Sequence, residues 1–150
     1  MKKIVSLLFL MSVIVFYSSA QMNMKLKFPK CEVVSESVFS DVNNFKTFVI
    51  KTQEEFDKYF KIMDGTTINF EKEMVLAGII GKGKNEDKFI EINAATYIPN
   101  GKYLNVRYDF KDVKLEDNGK FAVTIVPKSY DYKKVAFLKG KLYNMSQMGD

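Results

Sequence analysis

The chain contains no histidine and no tryptophan, a single cysteine and three prolines in 150 residues. Without histidine, the usual general base near neutral pH and the commonest metal ligand are both missing. No serine can belong to a histidine-based triad, Cys31 has no imidazole to activate it, and no cysteine–histidine zinc set can form. One cysteine also excludes an internal disulfide, so stability must come from the packed core. A membrane-spanning run is lacking too. The longest apolar stretch, Ile4 to Tyr17, has 14 residues, short of the ~20 that a spanning helix needs. There is no internal repeat, no low-complexity tract and no sign of a second domain.

That stretch is instead the centre of an export signal. Lys2 and Lys3 give a basic start, and Ser18-Ser19-Ala20 places small residues where signal peptidase reads. Cleavage is expected between Ala20 and Gln21, with residues 1–20 as the signal, 21–31 as an extended or mobile leader, and 32–150 as one domain. The charge of the processed chain falls to 21 basic against 18 acidic residues, net +3, which is no nucleic-acid footprint. Thirteen Phe and eight Tyr point to a β-rich core.

Met22, Met24, Leu26 and Phe28 alternate with polar residues up to Pro29, as in an edge strand. Further extended segments are expected within 32–41 and over 45–50. Thr52-Gln53-Glu54-Glu55 reads as a capping box. Behind it Phe56, Tyr59, Phe60 and Met63 form an i, i+3, i+4, i+7 stripe, which predicts a helix over about 53–63. Met74 to Ile80 is a continuous apolar run, as a central strand covered on both faces would be. Pro99-Asn100-Gly101 marks a tight hairpin. Alternating strands follow at 104–110, 121–125 and 135–138. The expected fold is α+β: a mainly antiparallel meander with one helix packed on it.

Gly78, four residues, then Gly83-Lys84 is a near match to a phosphate-binding loop. Such a loop needs a helix starting at its lysine and a Ser or Thr next. Here Asn85, Glu86 and Asp87 follow, and the sequence beyond alternates like a strand. The match is one of chance, and Lys82 to Lys88 reads as a charged hairpin tip. Candidate carboxylate pairs for hydrolysis are Glu71 with Glu73 and Asp109 with Asp112, although such acids more often serve as strand edges and turns. Asp109 to Gly119 lacks calcium-loop spacing. Asn144-Met145-Ser146 fits a glycosylation acceptor only by its three-residue pattern. The expectation is a chain that is not an enzyme and carries no cofactor or metal.

Ser129-Tyr130-Asp131-Tyr132-Lys133-Lys134 is the candidate partner-binding segment, because tyrosine combines apolar area with a hydroxyl. Either Tyr130 and Tyr132 both face a partner, or one folds back on the core. The expected partner is another extracytoplasmic protein. Two alternatives are a carrier of a small apolar or anionic ligand between helix and sheet, and a carboxylate-dependent hydrolase.

From Thr52 to Phe137 the order of features resembles a known family. "TQEEFDKYF" is followed by "INFEKEMVLAGIIG", a strand pair and "FAVTIVPKS". This resembles the C-terminal domain of PrcB, a subunit of a bacterial surface protease complex. The family's Thr-Gly-Gly-Tyr turn is replaced here by Lys84-Asn85-Glu86-Asp87-Lys88-Phe89. The resemblance implies a non-catalytic assembly subunit outside the cytoplasm.

Overall fold

A computed structural model describes residues 21–116, 118–128 and 132–140. Its strands are β1 (Met22–Asn23), β2 (Cys31–Val33), β3 (Phe45–Ile50), β4 (Phe60–Ile62), β5 (Glu73–Ile80), β6 (Phe89–Ile98), β7 (Tyr103–Lys111), β8 (Phe121–Pro127) and β9 (Lys134–Lys139). Two short helices, α1 (Ser37–Ser40) and α2 (Gln53–Asp57), lie between them. Half of the structure is strand and 8% is helix. The expected α+β class with a helix on the sheet is therefore corrected to a mostly β fold of three sheets.

The middle layer is the antiparallel sheet β3-β5-β8. Met74 and Leu76 of β5 pack against β6, β7 and the leader, whereas Val75, Ala77 and Ile79 pack against α1, α2 and β4. Both faces of β5 are thus covered, which is why its sequence is apolar without alternation. The second layer is the sheet β1-β6-β7-β9, and the third is the ribbon β2-β4 with the two helices.

The strands do not form the expected meander. β5 and β6 lie in different sheets, so Lys82 to Lys88 is a crossover between layers and not a hairpin tip. β9 runs parallel to β7. The Asn100-Gly101 turn does join β6 to β7, with φ of 90° at Gly101 and 56° at Lys102.

The predicted helix over 53–63 stops at Asp57. The Thr52 hydroxyl accepts the Glu55 amide at 3.2 Å, and the Glu55 carboxylate accepts the Lys51 amide at 3.0 Å, so the start is capped as expected. Phe56 and Phe60 are both buried, as in the helical stripe, but Met63 is 54% exposed. Phe60 and Ile62 face inward around an exposed Lys61 and pair with Val33 and Cys31. Phe60 fits either period, and ladder bonds to β2 outweigh another helical turn. Residues 32–41, expected as one strand, divide between the end of β2 and α1.

The leader joins two sheets. Met22 and Asn23 pair with Tyr97 and Thr96 of β6, and the Met24 amide donates to the Ala95 carbonyl at 2.8 Å. Three residues on, Lys27 exchanges two backbone bonds with Ile125 of β8, at 3.0 and 2.8 Å. Met22, Met24 and Leu26 pack into the core between the sheets.

Candidate functional site

The glycine loop after β5 is occupied by its own chain. A Cβ on Gly81 would lie 1.9 Å from the Val42 carbonyl oxygen, and one on Gly83 would lie 2.0 Å from the Asn44 Oδ1. The Gly81 amide donates to the Asn44 carbonyl at 2.9 Å, and the Lys84 amide donates to Asn44 Oδ1 at 3.1 Å. These glycines allow close approach of the 42–44 segment, and amides that a phosphate would need are already used. The Lys120 ammonium closes the crossover, donating to the carbonyls of Glu86 and of Lys88, the latter at 2.9 Å, and sits 4.8 Å from the Phe89 ring centre.

In the candidate carboxylate pairs Glu73, Asp109 and Asp112 are each engaged by a lysine. Glu73 Oε1 meets the Lys27 ammonium at 2.5 Å, and its Oε2 accepts the Asn69 amide at 3.1 Å; the lysine holds its carboxyl below the usual range. Glu71 is exposed beside a shallow groove of about 580 Å³ between Lys51–Gln53 and Thr67–Glu71. Asp109 binds Lys111 at 3.2 Å and its neighbour's amide at 3.0 Å. Asp112 pairs with Lys88, which lowers its pKa. Among the described residues no cluster of three potential metal ligands occurs. The space between α2 and the sheet is filled by Phe56 and Phe60.

Cys31 is a part-buried free thiol in β2, raised by burial first, and by the Asp64 charge second, to about 11. Asp64 closes the ribbon: its carboxylate accepts the amides of Lys30 at 2.9 Å and Thr66 at 3.0 Å, which lower it to about 2.

Of the predicted binding segment, Tyr130 lies outside the described residues, as do Ala20, Asp131 and the Asn144 acceptor. Tyr132 folds back. Its hydroxyl donates to the Pro127 carbonyl at 2.8 Å, and its ring meets Tyr97 edge-on at 5.6 Å. Lys133 and Lys134 are exposed where the chain enters β9, and neither forms an ion pair with a described residue. Gln21 is exposed one residue before β1.

The sheet brings to Lys134 a residue that sequence reasoning did not single out. Tyr103, its register partner on β7, is 42% exposed. Tyr103 belongs to the polar phase of its strand, the only signal that marked it. The outer edge of β9 pairs with no strand among the described residues, and Lys134 and Lys139 stand at its two ends. Val135 and Phe137 turn toward the core, leaving Ala136 and Leu138 on the opposite face.

Compared with known proteins, the chain matches no family model, no curated protein and no solved structure. Among the described residues no helix is long and apolar enough to cross a membrane.

Proposed function

We propose that the chain is a non-catalytic protein-binding module, exported with cleavage after Ala20, which receives an extended segment of another extracytoplasmic protein along β9. The observation that carries this reading is the edge of β9 between Lys134 and Lys139, which no described strand covers, with Lys133 and Tyr103 beside it. An open edge offers backbone donors and acceptors in a row, and strand addition uses them for affinity while side chains select the partner. Pairing two copies of β9 antiparallel and in register would set Lys134 against Lys139. Like charges opposite each other disfavour that dimer, whereas a segment with acidic ends is favoured. The likeness to a protease-complex subunit favours such a role, and the lysine partners of Glu73, Asp109 and Asp112 favour the non-catalytic reading over a carboxylate-dependent hydrolase.

The test is affinity capture from the envelope fraction of the native host, comparing the wild type with Lys133→Glu/Lys134→Glu. The partner recovered by the wild type should be lost from the double variant, with an unchanged unfolding midpoint. Equal recovery of the same partner by both would refute the β9 assignment. Tyr132→Ala is unsuited to this test, because Tyr132 is part of the core packing.

A further inference from the structure

We infer that Gln21 is a modification site, where the side chain closes on the newly freed α-amine to give an N-terminal pyroglutamyl lactam. The inference rests on the proposed cleavage after Ala20, which makes Gln21 the first residue. Gln21 is exposed, and neither its α-nitrogen nor its side-chain amide bonds to a described residue. Both reacting groups are therefore free to meet.

The α-nitrogen attacks the side-chain carbonyl carbon Cδ. A new N–Cδ bond forms, the Cδ–Nε2 bond breaks, and the amide nitrogen leaves as ammonia with the proton given up by the α-nitrogen. No oxidant, reductant or co-substrate enters. Attack within one residue through a five-membered ring carries the high effective concentration of an intramolecular reaction. The ladder begins at Met22, whose pairing with Tyr97 places the lactam outside the sheet. Closure removes an α-amino group that is partly charged near neutral pH.

The position gives the modification a purpose. The residues directly after Gln21 join β6 to β8 and fill the core between two sheets. An aminopeptidase working inward from a free Gln21 would remove that join first, and a lactam denies it the α-amine.

The experiment uses the full chain, expressed with its own residues 1–20 and purified after export. Intact-mass measurement should give residues 21–150 lighter by one ammonia. Stepwise N-terminal degradation should be blocked until a pyroglutamyl peptidase is added, and should then start at Met22. Gln21→Asn, whose side chain is one carbon too short for this ring, should be cleaved at the same bond and keep its full mass. An unblocked Gln21 after long incubation at neutral pH would overturn the inference, as would loss of ammonia from the Gln21→Asn chain. A first residue other than Gln21 would overturn the cleavage reading and the lactam together, and the sequencing tells these failures apart.

Discussion

Asp64 shows how one exposed carboxylate fixes a corner. It sits just past β4, and its two oxygens take the amides of Lys30 and Thr66, tying the entry of β2 to the turn after β4. These bonds favour the ionised form, so the folded-state pKa falls from 3.8 to about 2. A lowered carboxylate stabilises the fold above its unfolded pKa, and that contribution is lost as pH falls through the folded value. Asp64→Asn should therefore unfold at a lower denaturant concentration than the wild type at pH 7. The gap should close between about pH 4 and pH 2. Denaturant titrations of both chains across that window check it, and a gap that persists at pH 2 would contradict the assignment. The side chain itself is exposed, so solvent screening keeps the effect small.

At the scale of elements, β6 carries an extra residue. Ile92 lies opposite Tyr108 and Ala94 opposite Arg107, so Asn93 opposes nothing, and its side-chain oxygen and nitrogen are buried without a partner. The bulge also shifts the phase of the strand: Ile90 and Ile92 are buried before it, Ala95 and Tyr97 after it. Deleting Asn93 should keep both sets inward and the β7 register intact, at a cost below about 1 kcal/mol or with a gain, because an unsatisfied amide is lost. Deleting Glu91 should instead turn one end of the strand inside out, exposing side chains worth about 2 kcal/mol each. Urea unfolding of the two variants separates the cases, and equal damage from both deletions would refute the bulge account. The same strand explains what could be read in advance. β3, β5 and β8 were legible because their apolar runs and bounding turns are local, and the β6–β7 turn because Gly101 takes a positive φ without strain, although Lys102 and not Asn100 is the second residue to adopt one. The phase change at Asn93 was hidden, since Ala94 is as apolar as Ala95. The short α2 was hidden because Phe60 satisfies two periods. The parallel pairing of β9 and the crossover after β5 depend on distant partners that no short window contains. At the candidate site Lys133 and Lys134 were legible as exposed charge, but Tyr103 joins them only through the β7–β9 register.

For the whole molecule, the leader is part of the core. Removing residues 21–28 would strip Met22, Met24 and Leu26 from the space between the sheets, break the pairing to β6 and β8, and release Glu73 from Lys27. Three part-buried apolar side chains at roughly half of ~2 kcal/mol each predict a loss of about 3 kcal/mol. Equilibrium unfolding of the shortened chain should show it, together with binding of a dye that reports exposed apolar surface. An unchanged midpoint would mean that the leader is only laid on the surface. The distances along the chain add a consequence in time. Asn23 meets Thr96, 73 residues downstream, and Lys27 meets Thr124 across 97 residues. Contacts so distant in sequence form slowly, because a long loop must close before they return any stabilisation. Residues 22–27, made early in synthesis, are thus among the last to find their places. Until β8 has been made the chain has no complete core, and it stays open to extension and threading for as long as those partners are missing.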